Sequence, residues 1–262
     1  MEVLVLASGS SGNAALVTSG KTSVLVDAGI SARSLRSRLA EFGRRLEEVT
    51  AIVLTHEHSD HVRGLKVLLK RNPLPVFATA GTWSQLDVRA AAGGELESGS
   101  ELRVGGLTLQ PVATSHDACE PVAVVIDDGR RRVGLCTDTG VFTTLLAQRF
   151  AACELLLIEA NHDADMLRHG PYPWPLKQRI ASRHGHLANH QTAEALDGLG
   201  LLHTDAVVAL HLSEHNNQPA LVSEVLEQVT GGRLPVAAVS RHHMLRVSCT
   251  GDGATLESRP LP

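Results

Sequence analysis

A tight group of histidines and acidic residues follows an apolar run in the first quarter of this 262-residue chain. The run, residues 51–54, is typical of a buried strand, and directly after it come His56, His58, Asp60 and His61. Alternation along an extended segment predicts that the first three point one way, and that His61 turns in where the chain bends. Imidazole and carboxylate groups are ligands for Zn²⁺, Mn²⁺ or Fe²⁺, and such a dense group exceeds what one ion usually takes from a short segment. The pattern therefore indicates a two-metal site.

An alternative is that these are exposed loop histidines, because 14 of the 262 residues are His. Partners further along the chain argue against that alternative. His116, Asp138 and His211 each follow another apolar, strand-like segment. A metal site built on the ends of sheet strands requires ligand-type residues at such positions.

These segments resemble the motifs of the metallo-β-lactamase superfamily, in the same order along the chain. The matching positions are Asp27, residues 56–61, His116, Asp138 and His211. The resemblance implies an α/β fold, a single-domain αββα four-layer metallo-β-lactamase sandwich with metal ions at one edge of its two sheets.

The same resemblance implies a role for each matching residue. In the family scheme, one divalent ion is held by His56, His58 and His116, and the other by Asp60, His61 and His211. Asp138 would bridge the two ions. Asp27 would lie behind the ligands, where it accepts a hydrogen bond that orients them.

Composition favours one domain spanning residues 1–262, because a hydrophobic content of 43% can fill one substantial core. Residues 1–7 carry an acid where a signal peptide has a base, and we expect them to form a strand. No apolar run approaches the ~20 residues that a membrane span needs. The four cysteines are scattered without a CxxC pair, which favours reduced thiols in a cytoplasmic protein.

Helix signals are clearest at residues 32–42, between Ser31 as N-cap and Gly43 as terminator. The other helices are predicted near residues 65–70, 82–91, 175–182, 191–199 and 219–229. Strands at residues 236–239 and 245–247 are expected to close the second sheet.

Three further segments and the stretch after His211 carry polar groups that could meet a substrate. Ser10 and Asn13 belong to a Gly/Ser loop that could cradle a phosphate, although an ordinary hairpin loop is an equal alternative. Asn161 follows another apolar strand, and Asn216 follows His211. His186 lies just before a predicted helix N-terminus, where an anion is favoured.

Together, these segments resemble the small YycJ/WalJ-like exonucleases, a branch related to RNase J and tRNase Z but without a β-CASP domain. The resemblance implies 5′-to-3′ exonuclease action on DNA, with metal-bound hydroxide as the nucleophile. Asp60 and His186 are the residues assigned to catalysis. His186 would contact the scissile phosphate and act as general acid.

The net charge of −4 is unlike that of a general nucleic-acid binder. Locally, however, Arg63, Lys66, Lys70 and Arg71 follow the metal cluster. They could line a phosphate track, or they could simply form a solvated helix face. A nucleic acid, DNA by the resemblance, is the expected partner, and no membrane contact is expected.

A thioester or lactone hydrolase of the glyoxalase II type is the main alternative, since it would use the same His/Asp ligands. Asn161, His186 and Asn216 favour phosphodiester chemistry over it. A non-catalytic nucleic-acid-binding protein on the same fold is a further alternative, and the complete set of ligand residues argues against it.

Overall fold

A computed structural model describes residues 1–88, 92–251 and 253–262 of the chain. Its strands are β1 (Glu2–Ala7), β2 (Ala14–Ser19), β3 (Thr22–Val26), β4 (Ala51–Val53), β5 (Val76–Thr79), β6 (Gly93–Leu96), β7 (Leu102–Val104), β8 (Leu107–Ala113), β9 (Val122–Asp127), β10 (Arg132–Cys136), β11 (Leu155–Glu159), β12 (Ala206–Leu210), β13 (Val236–Ala238), β14 (His243–Thr250) and β15 (Gly253–Pro260).

The helices connect and cover these strands. They are α1 (Ala32–Glu41), α2 (Ser59–Val62), α3 (Leu65–Arg71), α4 (Ala80–Ser84), α5 (Thr144–Phe150), α6 (Ala164–His169), α7 (Trp174–Ile180), α8 (Asn189–Leu199) and α9 (Pro219–Thr230), with a short 3-10 helix at Leu46–Glu48. None of the helices within the described ranges has the length and apolar character that crossing a membrane requires.

The strands form two mixed sheets. One sheet has the order β15-β14-β1-β2-β3-β4-β5-β6, and the other has the order β13-β12-β11-β10-β9-β8-β7. Strands β3 to β6 are parallel to one another, as are β10 to β13. The carboxyl ends of parallel strands meet at one edge of a sheet, so each sheet presents a row of loops at that edge.

Apolar side chains separate into three buried clusters. The cluster between the sheets includes Val3 and Val5 of β1 together with Val124 of β9. Leu4 and Leu6, on the opposite face of β1, pack in a second cluster with the residues of α1 and α3. The third cluster lies between the other sheet and the helices α5, α8 and α9. Because successive residues of a strand face opposite sides, β1 is apolar on both faces. The predicted αββα four-layer sandwich is confirmed.

The local signals around α1 act as predicted. The Ser31 side chain accepts a hydrogen bond from the Ser34 backbone N–H at 3.1 Å, which satisfies one free donor of the first turn. Leu35 and Leu39 form its buried stripe. The helix ends at Glu41, and Gly43 follows with φ 68°, a left-handed conformation that glycine adopts without strain.

Two predictions about secondary structure away from the histidine cluster were wrong. The helix expected at 82–91 runs from Ala80 to Ser84, because the Thr79 hydroxyl caps it earlier and Leu86 and Val88 pack on the core without helical structure. The rest of that prediction, residues 89–91, lies outside the described residues.

The second error concerns the sheet that contains the chain's last strands. β14 pairs antiparallel with β1, with Val3 opposite Val247, so it belongs to the first sheet, and β13 alone closes the second. The alternating pattern of β14 identifies a strand but carries no information about which sheet edge it joins.

Candidate metal centre and active site

The candidate ligands collect where the parallel strands end. Asp27 follows β3, Asp138 follows β10 and His211 follows β12. All three have left-handed backbone conformations, with φ of 63°, 57° and 57°. Such a conformation is strained for residues other than glycine, and it persists where the surrounding structure requires a side chain to point a particular way. Here it turns three carboxylate and imidazole groups into one space.

The histidine cluster after β4 differs from the extended segment that the sequence predicted. Residues Ser59–Val62 form one helical turn, α2, with His58 as its N-cap residue. The His61 N–H donates to the His58 carbonyl at 2.8 Å, and the Asp60 carbonyl accepts from the Asn13 N–H at 2.7 Å. Asp60 and His61 therefore reach the site from a helical turn, because backbone bonds to the neighbouring loop hold that turn in place.

The structure brings all seven predicted ligand residues together. One group of ligand atoms belongs to His56, His58 and His116, and a second belongs to Asp60, His61 and His211. Within each group the atoms lie within 4.8 Å of one another. Asp138 joins both sides, since it also groups with His56 and His61 and, separately, with His211.

These residues fit a divalent cation. His56 is 1% exposed, and its Nε2 atom has no hydrogen-bond partner among the described residues. Burial lowers the pKa of His56 well below its usual value, which keeps the ring neutral with a lone pair available. Oδ2 of Asp138 is also buried without a hydrogen bond, although Nε2 of His61 lies 3.1 Å away. Burial raises the pKa of Asp138, but His211 and His61 outweigh that effect and lower it well below its usual value.

Asp27 lies behind the ligands, where the sequence analysis expected it. Its Oδ2 atom is 2.7 Å from Nδ1 of His61, and its Oδ1 accepts from the Thr55 backbone N–H at 2.9 Å. Burial opposes a charged His61 ring, but the charges of Asp138 and Asp27 raise the pKa of His61 well above its usual value. A carboxylate on the far nitrogen fixes the orientation of an imidazole ligand.

Asn13 was expected to contact substrate, but its side chain does not line an open groove. It is 5% exposed, and its Nδ2 lies 3.0 Å from Nε2 of His61 and 3.3 Å from Oδ2 of Asp60. Its Oδ1 lies 3.2 Å from Nδ1 of His211. The side chain is enclosed because its loop folds back under the ligands, so it contacts three of them.

Asn161 and Asn216 are buried as well and contact protein atoms. The Asn161 side chain donates to the His211 carbonyl at 2.9 Å, and the Asn216 side chain donates to Oγ of Ser213 at 3.3 Å. Both side chains therefore hold the segment that follows β12, while Oδ1 of Asn216 is buried without a hydrogen-bond partner among the described residues. Ser10, by contrast, is exposed at the surface of the Gly/Ser loop.

His186 reaches the same space from the loop before α8. Its ring centroid is 5.0 Å from that of His116 and 5.3 Å from that of His211. The structure adds a residue that the sequence analysis did not assign, since Oε1 of Glu159 lies 2.6 Å from Nδ1 of His186. Glu159 ends the apolar strand β11 as Asp138 and His211 follow theirs, and that shared position was the available signal.

Comparison with known proteins agrees with this arrangement. Residues 22–212 match a family model described as a beta-lactamase superfamily domain. The chain is 34% identical over 233 residues to "Exodeoxyribonuclease YycJ" of Bacillus anthracis, covering 86% of this chain and 88% of that protein. The chain belongs to the metallo-β-lactamase superfamily, in its YycJ/WalJ branch.

A second relative and a solved structure are consistent with this membership. The chain is 37% identical over 220 residues to "Exodeoxyribonuclease WalJ" of Streptococcus pneumoniae, covering 81% of this chain and 82% of that protein. The crystal structure of the metallo-β-lactamase fold protein YhfI from Bacillus subtilis matches with a TM-score of 0.73 and 20% identity. That match covers 92% of this chain and 97% of YhfI, and at this identity it supports the fold alone. The predicted enzyme class, a metal-dependent hydrolase, is confirmed by the membership.

Proposed function

We propose that this chain is a dinuclear metal-dependent phosphodiesterase that degrades DNA as a 5′-to-3′ exonuclease. The observation that carries the proposal is the pair of ligand groups joined through Asp138, with His186 beside them. The names of the YycJ and WalJ relatives support the choice of DNA. The proposal treats residues 1–262 as one functional domain that acts in the cytoplasm, which is consistent with free cysteines at all four positions.

In this proposal, His56, His58 and His116 hold one divalent ion, and Asp60, His61 and His211 hold the other. Asp138 serves both ions. Zn²⁺ and Mn²⁺ suit these donors, and Fe²⁺ is a third candidate. When bound, such a pair of ions makes water nucleophilic at neutral pH and polarises the phosphodiester.

The protein groups around the ions hold and move the proton. Nδ1 of His186 is occupied by Glu159, so Nε2 is the ring nitrogen that can face a substrate oxygen. The His186 side chain is 19% exposed, whereas the Glu159 side chain is fully buried. His186 therefore can touch substrate, and it donates a proton to the leaving oxygen as general acid. Asp60 contributes to catalysis as a ligand.

The buried side-chain amides of Asn13 and Asn161 contact the ligand residues, whereas the sequence analysis expected them to contact a substrate. Asn13 and Asn161 position Asp60, His61 and the His211 backbone, and Ser10 remains the exposed candidate for a phosphate contact. We propose that specificity for nucleic acid comes from groups at the rim of the site, because these two amides are buried and their nitrogens already contact protein atoms.

The test is an activity comparison with purified protein and added Mn²⁺ or Zn²⁺. Duplex DNA labelled at the 5′ or the 3′ end is assayed beside S-lactoylglutathione, with Asp60→Ala as the control. Metal-dependent loss of nucleotides from a 5′ end, absent in the variant, is the expected result. Thioester turnover without DNA cleavage would replace this proposal by the glyoxalase II-type alternative.

Metal analysis of the same samples tests the dinuclear part. Two ions per chain are expected in the unmodified protein and fewer in Asp60→Ala. Full activity with only one ion bound per chain would contradict the dinuclear site.

A further inference from the structure

An arginine-lined cleft opens beside the candidate active site. It has a volume of about 940 Å³ and lies where the N-terminal half of α1 faces α3 and the loop before β14. Its cationic residues are Arg33, Arg36, Arg38, Arg63, Arg71 and Arg241. The chain has 24 lysines and arginines and a net charge of −4, so placing six arginines in one cleft creates a strong local excess of positive charge.

Little within the cleft neutralises that charge. None of the described residues that line it is Asp or Glu. Arg36 pairs with Glu47 outside the cleft, at 2.7 Å, and Arg241 pairs with Glu214. Arg33 and Arg71 are exposed, and their guanidinium groups make no hydrogen bond or ion pair with the described part of the chain. Two arginines are therefore free to bind an external anion.

One end of the cleft is formed by the segments next to the ligand cluster. Ser11 and Gly12 line it and precede Asn13, whose side chain contacts Asp60. Arg63 comes two residues after His61 and donates to the Ser11 carbonyl. One end of the cleft therefore lies close to the ligand cluster, because its lining includes the residues next to Asn13 and His61, although none of the seven ligand residues lines it.

The size of the cleft fits several phosphates of one strand. The part of α1 that lines the cleft runs from Ala32 to Arg38, which corresponds to a length of about 10 Å. Successive base pairs rise by about 3.4 Å, so this part of the helix spans roughly three phosphate steps. Guanidinium groups bind phosphate oxygens in pairs of parallel hydrogen bonds, which lysines cannot do, and the cleft contains arginines and no lysine among its described lining residues.

The two lysines of the basic segment lie elsewhere. Lys66 and Lys70 line a separate depression, where Lys66 pairs with Asp87 at 2.6 Å. The row of basic residues in the sequence is therefore divided by the fold, and only Arg63 and Arg71 join the arginines of α1.

From these observations we propose that the arginine-lined cleft binds the phosphodiester backbone of the nucleic acid beyond the nucleotide that is removed. The proposal rests on the proposed nuclease function. The contacts are to phosphates, so they position the strand without reading its sequence.

The test compares the metal-loaded double variant Arg33→Ala/Arg71→Ala with the unmodified enzyme on two substrates. On a 30-base-pair duplex at 150 mM salt, KM should rise at least tenfold, and the slope of log KM against log salt should fall by about 2, for two lost phosphate contacts. On bis(p-nitrophenyl) phosphate, which is too small to reach the cleft, kcat/KM should change less than twofold.

A matched control is Arg103→Ala/Arg130→Ala. Both arginines are exposed and lie near turns at the other end of the strands, since β10 runs from Arg132 toward Asp138. The control variant should have the same KM for the duplex, the same salt slope and the same kcat/KM for the small substrate as the unmodified enzyme.

Unchanged KM and slope for the duplex in the cleft variant, with phosphodiesterase activity intact, would overturn the proposal. An equal loss on the small substrate would also overturn it, because the arginines would then act at the reaction centre or in folding. Absence of all phosphodiesterase activity in the unmodified enzyme would instead refute the proposed function. In that case, fluorescence anisotropy with the labelled duplex would still test whether the cleft binds DNA. Equal affinity of the unmodified protein and the Arg33→Ala/Arg71→Ala variant would refute binding in the cleft.

Discussion

Oε1 of Glu159 lies 2.6 Å from Nδ1 of His186, and Glu159 is fully buried at the end of β11. The other carboxylate oxygen of Glu159 accepts from the Thr139 N–H at 3.0 Å. Burial lowers the pKa of His186, but the charge and hydrogen bond of Glu159, with the charge of Asp138, outweigh it and raise the pKa to about 9. Glu159 therefore fixes both the direction of the ring and its preference for carrying a proton.

We expect Glu159→Gln to lower kcat about 10- to 100-fold while KM and metal content stay unchanged, because losing such an outer partner misorients the group that it holds. Steady-state kinetics and metal analysis check this. The comparison variant is His186→Ala, which should lose turnover and keep its metal. Adding Glu159→Gln to His186→Ala should cost little more, since the two residues act as a unit. Loss of metal in His186→Ala would remove its assignment as general acid.

Removing metal should destabilise the protein. His56 and Asp138 keep buried atoms without hydrogen bonds in the described structure, and a bound cation satisfies them. At a free metal concentration 100 times Kd, binding adds about 2.7 kcal/mol to the free energy of unfolding. Chelator-treated protein should therefore unfold at lower denaturant, and added Zn²⁺ or Mn²⁺ should restore the midpoint.

Two histidine variants provide the comparison for metal removal. His56→Ala should respond only weakly to metal, whereas His203→Ala, at an exposed position, should respond like the unmodified protein. An identical response of all three proteins would argue against metal at this cluster.

Gly29 is required by a close approach of the backbone to the ligand loop. A Cβ added there would lie 1.6 Å from the Asp60 carbonyl oxygen. We expect Gly29→Ala to lower the free energy of unfolding by about 3 kcal/mol or more, because the crowded backbone cannot yield cheaply. Chemical denaturation measures the effect. Gly198→Ala is the matched control, since nothing lies within 4 Å of its Cβ in α8, and it should stabilise by up to ~1 kcal/mol.

His162 should make stability depend on pH. It is 3% exposed, and burial lowers its pKa to about 4, from about 6.5 in an unfolded chain. The unfolded state then binds the proton first, so the stabilisation is present above pH 6.5 and is lost as the pH falls toward 4. Between pH 7 and pH 5 this amounts to roughly 2 kcal/mol.

Denaturant unfolding at the two pH values tests this dependence. His162→Gln should lose roughly 2 kcal/mol less than the unmodified protein, while His203→Gln should behave like the unmodified protein. A variant His162→Gln with an unaltered pH dependence would show that His162 accepts its proton in the folded state as readily as in the unfolded one.

Local patterns explain which parts of the fold were predictable. The cap of α1 depends on Ser31 and Ser34, which are three residues apart, and its end depends on Gly43, so neighbouring residues contain the whole signal. The placement of β14 beside β1 depends on residues almost the full chain apart, such as Val3 and Val247. No local pattern encodes that choice of partner.

The candidate ligands could be identified from the sequence because each one follows an apolar strand, and parallel strands bring their carboxyl ends to one edge. The apolar pattern of each strand and the order of the strands along the chain are enough to identify these ligands. The environment of those ligands required the tertiary structure. The enclosure of Asn13, the contact between Glu159 and His186, and the cleft that unites Arg33 with Arg71 all join segments distant in sequence. Sequence spacing determines which residues share a strand end or a helix face, whereas burial and distance between remote segments arise only when the layers pack.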